Sequence, residues 1–266
     1  MIPQRAKRTS SGTKPMKGKI YIGTSGWHYK HWVGTFYPKN TKDSQQLSHY
    51  LRFFKTVELN NSFYRLPSAE TFKTWRRAVP KDFIFSVKGS RFISHMKKLK
   101  VERHSIQIFF DSVKNLREKT GPILFQLPPK WKINVERLHD FLRIIPKKYR
   151  YAFEFRNNSW YDEKIYAVLR KFNAAFCVYE LEHHLSPIIT TANFVYVRLH
   201  GPDGKYAGSY SDSQLKNWVR RCRQWQEDGK DVFVYFDNDQ LGYAAWNAIT
   251  LQRIIMKKRR SANKKP

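Results

Sequence analysis

The sequence has few cysteines and no long apolar run, and each shortage excludes a class of protein. Cys177 and Cys222 are the two cysteines among 266 residues, and their wide spacing is unlike a disulfide framework or a metal or redox pair. We expect both thiols to be buried and reduced. No apolar run approaches the roughly 18 residues of a membrane span, and residues 1–19 lack the apolar centre of a secretory signal. We therefore predict a cytoplasmic protein without membrane contact.

Acidic residues are also scarce. The chain has 21 Asp and Glu against 50 Lys and Arg, which gives a formal net charge of +29. Residues 1–18 and 257–266 are rich in Lys and Arg and carry no acid, and we predict that both are disordered basic tails around a single domain over 19–256. Such an excess attracts polyanions, nucleic acid first. Solvated tails without a specific partner explain the same charge.

Nucleotide and metal motifs are missing as well. The stretch "GTSGWHYKHW" has Gly23 and Gly26 but matches neither GxGxxG nor a P-loop, so no nucleotide fingerprint follows and the cofactor stays unknown. HExxH and paired-histidine spacings do not occur, and cationic neighbours would repel an ion, so a divalent metal is possible but not favoured. Its possible ligands are Glu58, Glu154, His200 and Asp239.

The chain does contain short runs of Val, Ile, Phe and Tyr, separated by segments with helical spacing of apolar residues. Eight runs predict strands at 19–25, 56–60, 83–88, 122–127, 151–156, 174–180, 194–200 and 232–238. Helices are predicted from 47–54, 135–145, 211–225 and 243–256, and Ser211 with Gln214 has capping-box spacing. The pattern predicts an α/β fold, a single (β/α)8 TIM-barrel-like domain with an irregular connection between strands 6 and 7 at 181–193.

Polar side chains collect where these strands end. Glu154 and Arg156 lie two residues apart on a strand and therefore face the same side. In a barrel the C-terminal ends of the strands converge on one mouth, where active sites lie. Polar residues are common wherever a chain reaches the surface, which explains about half of the set. Buried charges in a closed ring are costly unless they are paired or hold a ligand.

These residue types allow acid/base chemistry on an anionic ligand. Glu58, Glu154 and His200 are the candidate catalytic groups, since burial and neighbours can bring their pKa values near working pH. Glu58 with Glu154 also fits a glycosidase-like pair. The candidate ligand-binding residues, with Lys88, Arg156 and Arg198 for the anion, are Ser25, Asn60, Lys88, Gln126, Arg156, Arg198, Asn238 and Asp239.

Several aromatic residues and one histidine are weaker candidates. His95 follows strand 3 and is as consistent with solvent exposure as with a place at the mouth. The aromatic residues suit stacking on bases or sugars, although packing is the more economical role. They are Trp27, Tyr29, Trp32, Tyr64 and Trp160.

The motifs "GTSGWHYKHWVGTFYP", "VELNNSFYRLP", "FISH", "LFQLPP", "FEFRNNSW", "YVRLHG" and "VYFDNDQLGYAAWNA" together resemble the domain-of-unknown-function 72 family, also called YecE-like. The resemblance spans residues 20–255 and implies a TIM-barrel-like fold. It implies no established reaction; a relationship to metal-dependent barrel nucleases rests on structural similarity. The chain departs from the family in "YELEHHLSP", where Glu180 stands near the family's usual aspartate and two histidines are inserted.

Three hypotheses follow. The first is an enzyme acting on a phosphorylated or other anionic substrate, nucleic acid included, at the C-terminal mouth. The second is a non-catalytic nucleic-acid-binding module that uses the basic tails and surface. The third is a barrel in which the charged network mainly stabilises the fold. An anionic small molecule or nucleic acid is the expected partner, and the sequence leaves the oligomeric state open.

Overall fold

The computed structural model describes residues 16–262, with side chains as far as residue 257, and its centre is a nearly closed barrel of eight parallel strands. These strands are β1 (Ile20–Thr24), β2 (Thr56–Leu59), β3 (Ile84–Lys88), β4 (Thr120–Leu127), β5 (Tyr151–Phe155), β6 (Ala175–Leu181), β8 (Phe194–Leu199) and β9 (Asp231–Phe236). A short strand, β7 (His184–Leu185), pairs with β6 in antiparallel fashion.

The order of the strands around the barrel is β1, β9, β8, β6, β5, β4, β3, β2. The ring closes between β1 and β2 through a single parallel bridge from Ser25 to Glu58. All eight predicted strands and the barrel architecture are confirmed. The connection predicted as irregular contains β7, which turns back onto β6 where the two inserted histidines lie.

Helices connect most of the strands and cover the outside of the barrel. They are α1 (Asp43–Tyr50), α2 (Asn61–Tyr64), α3 (Ala69–Ala78), α4 (Arg103–Val113), α5 (Val135–Ile144), α6 (Glu163–Lys171), α7 (Asp212–Glu227) and α8 (Tyr243–Ala262). The Ser211 and Gln214 capping box predicted for α7 is present. None of the helices in the described part combines the length and apolarity needed to cross a membrane.

Two predicted helices have bounds that differ from the structure. α1 begins at Asp43, four residues before the predicted apolar stripe, and ends at Tyr50. α8 continues to Ala262, so the first part of the segment predicted as a C-terminal tail, 257–262, is helical. The rest of that tail, 263–266, and most of the N-terminal one, 1–15, lie outside the described residues.

Alternation along the strands divides the core in two. One face points outward against the helices and carries residues such as Phe125, Phe153 and Val234. The other face fills the inside of the barrel with Tyr196, Phe233 and other residues. Cys177 and Cys222 are buried free thiols, as predicted.

Candidate active site at the barrel mouth

The C-terminal ends of the strands bring a cluster of charged side chains together around Arg198. Arg198 lies near the end of β8, and its side chain is completely buried. It forms ion pairs with three carboxylates from three other parts of the barrel, at N···O distances of 2.8 to 2.9 Å. These carboxylates belong to Glu58 on β2, Glu154 on β5 and Asp237 just after β9.

All five N–H groups of Arg198 have protein acceptors. Nε donates to Glu58, Nη1 donates to Glu154 and His200, and Nη2 donates to Glu58 and Asp237. A guanidinium has five donors in a fixed planar fork, so none is left for a ligand. Arg198 therefore does not have the free donors that its expected role in anion binding requires, and it acts as the holder of the carboxylates.

Glu58 is held on every side by the protein. Its Oε1 accepts a hydrogen bond from Ser25 Oγ at 2.5 Å, and its Oε2 accepts one from the Tyr196 hydroxyl at 2.6 Å. Both oxygens also face Arg198. Glu58 is completely buried and does not line the cavity described below.

Glu154 is a buried carboxylate between two guanidinium groups. Arg156 Nε donates to Oε1, as their shared strand face predicts, and Arg198 Nη1 donates to Oε2 at 2.9 Å. Burial by itself raises the pKa of Glu154, but Arg156 and Arg198 outweigh it and hold that pKa well below its usual range. Glu154 is therefore ionised at neutral pH, and like Glu58 it lies away from the cavity.

The neighbours of His200 define its tautomer. Its Nε2 lies 3.0 Å from Arg156 Nη2 and 3.2 Å from Arg198 Nη1. Guanidinium nitrogens only donate, so Nε2 must be the acceptor and the ring proton belongs on Nδ1. Nδ1 lies 3.0 Å from Asp237 Oδ2, although the ring geometry is not that of a hydrogen bond. His200 therefore presents Nδ1 toward Asp237.

A cavity of about 850 Å³ opens beside this cluster. Lys88, at the end of β3, lines it and is 9% exposed. Its ammonium lies 4.5 Å from the centre of the Phe63 ring, and no carboxylate in the described part of the chain lies within 4 Å of it. Burial, followed by repulsion from Arg198, lowers the pKa of Lys88 to about 8. Lys88 is therefore a cation that faces a cavity without an ion-pair partner.

Of the three aspartates that line the same cavity, Asp237 and Asp239 lie two residues apart in the sequence but differ in environment. Burial by itself raises the pKa of Asp237, but the Arg198 guanidinium opposes it, and the pKa lies below its usual value. The pKa of Asp239 is raised by burial and by the nearby charge of Asp237. Paired carboxyl groups with pKa values shifted in opposite directions are typical of acid/base sites. Asp239 also lies 3.5 Å from His31 Nε2 on the loop after β1.

The remaining predicted site residues are divided between the mouth and its surroundings. Asn60 lines the cavity and donates to the Ser25 carbonyl oxygen, and its buried Oδ1 has no partner among the described residues. Gln126 shares the inward face of β4 with Leu124, and its Oε1 also has no described partner. Asn238 points away from the cluster and donates to Asn247 on α8, where it joins a structural contact.

The sequence reasoning missed Asp237, although a signal was present. Phe233 and Tyr235 point into the barrel, so period-two alternation places Asp237 on the same inner face and Asn238 on the outer one. Alternation along β6 also places Glu180 outside the site. Cys177 and Tyr179 point into the barrel, so the side chain of Glu180 points outward. Glu180 instead accepts a hydrogen bond from Trp218 on α7.

The weaker candidates also separate clearly. Trp32 and Trp160 are fully buried and belong to the core. Trp27, Tyr29 and Tyr64 line the cavity. The ring of His95 packs against that of Phe63, with centroids 5.0 Å apart, and its Nδ1 shares a hydrogen bond with the Ser94 hydroxyl. Burial and the charge of Lys88 lower the pKa of His95 to about 4.

The donor set does not form an open metal-binding cage. Within residues 16–262, no group of three or more His, Cys, Asp or Glu side chains is arranged to hold an ion. The guanidinium of Arg198 lies between Glu58, Glu154 and Asp237 and forms an ion pair with each of them.

The fold and the site define a TIM-barrel-like protein with a polar, charge-paired mouth and an adjoining cavity. The sequence model of the family described as "Protein of unknown function DUF72" matches residues 21–266, and the chain belongs to this family. The chain is 28% identical over 270 residues to the UPF0759 protein YunF of Bacillus subtilis, a match that covers 89% of this chain and 94% of that protein.

Solved structures give the same result. A DUF72 family protein from Thermotoga maritima is 31% identical, with a TM-score of 0.81 over 90% of this chain and 99% of that one. A DUF72 family protein from Enterococcus faecalis is 21% identical, with a TM-score of 0.78 over 89% of this chain and 95% of that one. The predicted family is therefore confirmed, and the solved relatives share the fold.

Proposed function

We propose that the protein is an enzyme that binds a phosphorylated or otherwise anionic substrate at the barrel mouth and transfers a proton to or from it. The observation that carries this proposal is Lys88, a buried cation that faces the cavity without a carboxylate partner. A buried unpaired charge is costly, so an anion in the cavity supplies the missing partner.

Asp237 and Asp239 are the proposed proton-transfer groups. Asp237 stays ionised beside Arg198 and serves as a base, whereas the raised pKa of Asp239 suits a general acid. Glu58, Glu154 and Arg198 form the rigid frame that holds Asp237, and His200 lies behind it. This assignment moves the acid/base role from Glu58 and Glu154 to the carboxyl groups that line the cavity.

A ligand screen tests the proposal. Sugar phosphates, nucleotides, small carboxylates and short oligonucleotides are compared by thermal shift with the unmodified protein, Lys88→Met and Lys100→Met. A ligand at about 100 times its Kd stabilises the native state by about 2.7 kcal/mol. We expect a hit that Lys88→Met abolishes and the exposed control Lys100→Met retains. A hit that is equally strong in both variants, or no hit, would remove the proposal's basis.

The net charge supports a second candidate, the non-catalytic nucleic-acid-binding module. The formal charge is +29, and six Lys and Arg residues without an acid lie in 257–266. Such a module would bind through the phosphate backbone and lose affinity steeply with salt. It would require neither Lys88 nor Asp237, which separates it from the first candidate.

A further inference from the structure

The cavity has an aromatic lining that proton transfer at Asp237 and Asp239 does not use. Trp27 and Trp75 line it with ring centroids 5.4 Å apart in an edge-to-face arrangement. Leu47 and Leu59 line the same space. A site for a small anion alone needs only donors and charge, whereas this cavity adds apolar and aromatic surface of the kind that binds a ring.

Tyr64 is the most informative of these residues. It lies in α2, directly after β2, and it lines the cavity while remaining 81% exposed. Its ring packs edge-on against Phe63 at 5.0 Å, and Phe63 is the ring that lies against the Lys88 ammonium. An exposed aromatic ring is therefore held one side chain away from the unpaired cation.

Building on the proposed function, we infer that the substrate joins a flat aromatic or heteroaromatic ring to an anionic group. The anion binds at Lys88, and the ring packs against Tyr64 and the Trp27 and Trp75 pair. A cavity of about 850 Å³ is large enough for a molecule of this kind. The buried, unpartnered Oδ1 of Asn60 supplies an acceptor for a hydroxyl or amino group of the ligand.

Three matched probes separate the two halves of this ligand. Adenosine 5′-monophosphate carries ring and anion, ribose 5-phosphate carries the anion alone, and adenosine carries the ring alone. Titration calorimetry at pH 7 measures each Kd. Stacking on an aromatic side chain is strong enough that we expect the monophosphate to bind at least about tenfold more tightly than either fragment.

Variants of Tyr64 assign the ring contribution. Tyr64→Ala should weaken binding of the monophosphate by about tenfold and leave ribose 5-phosphate unchanged, whereas Tyr64→Phe should retain the affinity of both. Because Tyr64 is largely exposed, these variants should fold normally. Trp246→Ala is the control, since Trp246 is a 45% exposed aromatic outside the cavity.

Equal affinity for the monophosphate and ribose 5-phosphate, with both lost in Lys88→Met, would overturn the aromatic inference and leave the proposed function intact. Binding of neither phosphate would overturn both. A 5′-phosphorylated dinucleotide serves as a fourth probe. Tighter binding of the dinucleotide than of the monophosphate would identify the end of a strand as the source of the aromatic anion, and weaker binding would identify a free nucleotide.

Discussion

At the scale of single residues, the site depends on one arginine whose donors are all used. The two-residue spacing of Glu154 and Arg156 correctly places both charges on one face, and the structure pairs them. The sequence does not show which cation is free. That distinction depends on how Arg198 reaches across the barrel to three strand ends, and these contacts span up to 140 residues of sequence. Glu58, Glu154 and Asp237 form their ion pairs with Arg198, and Lys88 is left without a carboxylate within 4 Å among the described residues.

Removing the side chain of Arg198 tests its role as the holder of the carboxylates. Arg198→Met leaves Glu58, Glu154 and Asp237 buried without their shared partner, and we expect a loss of about 3 to 5 kcal/mol in the free energy of unfolding. Urea denaturation measures it. Arg220→Met, at an exposed position on α7, should change stability by less than about 0.5 kcal/mol. A similar small effect for both variants would contradict the account.

Lys88 should make stability depend on pH. Its pKa is about 8 in the folded protein and near its ordinary 10.5 when unfolded, so between these values the unfolded state binds more protons. Stability therefore rises with pH in this window, by about 1 kcal/mol between pH 8 and pH 9. Urea denaturation of the protein and of Lys88→Met at both pH values isolates the effect. An unchanged difference between the two proteins would show that Lys88 titrates normally.

At the scale of elements, the strands were predictable and some of their connections were not. Runs of buried β-branched and aromatic residues identify all eight barrel strands, because both faces of each strand are covered. The start of α1 at Asp43 was missed because its first turn has few apolar residues. The two-residue strand β7 is too short to leave a periodic pattern. Asp237 was recoverable from alternation along β9.

The segment after β8 contains a glycine that the backbone requires. Gly201 has φ +114°, and a Cβ there would clash with the Ala207 carbonyl oxygen. This segment carries Tyr206, whose ring lies 5.5 Å from His200 and lines the cavity. Gly201→Ala should lower stability by about 1 to 3 kcal/mol and weaken ligand binding. Gly204→Ala, with no atom near its Cβ, is the matched control in thermal melting and ligand titration. Equal melting temperatures and equal ligand affinities for the two variants would contradict the claim that the backbone requires a glycine at position 201.

At the scale of the whole molecule, architecture and family follow from the sequence, whereas the identity of the reaction does not. Strand count and spacing specify a barrel, and a barrel specifies which end of each strand meets at the mouth. A fold hosts many activities, so only the particular contacts of the mouth distinguish among them. The net charge and Lys88 therefore support different functions. The net charge belongs to the whole surface and suits nucleic-acid binding, whereas Lys88 is one cation at the cavity.

The basic termini allow a test of nucleic-acid binding that spares the barrel. Because α8 continues to Ala262, the charges at 257–260 are replaced with Gln rather than deleted, and Arg5, Lys7, Arg8 and Lys14 are replaced with Gln as well. If the termini bind nucleic acid, this variant should lose affinity for a short oligonucleotide and show a shallower dependence of log Kd on log salt, in fluorescence anisotropy. An unchanged slope would place the contacts on the barrel itself.

The most direct test of the central claim is the pH dependence of anion binding at the mouth. The second pKa of a phosphate monoester is about 6, so the phosphate of ribose 5-phosphate is almost completely dianionic above about pH 7.5, and Lys88 is the group expected to titrate between pH 7.5 and pH 9. We predict that the Kd measured by calorimetry rises about eightfold over this range as Lys88 loses its proton. Lys88→Met should bind weakly at both pH values. A Kd that stays constant with pH, or one that Lys88→Met leaves unchanged, would contradict the assignment of Lys88 as the anion-binding cation.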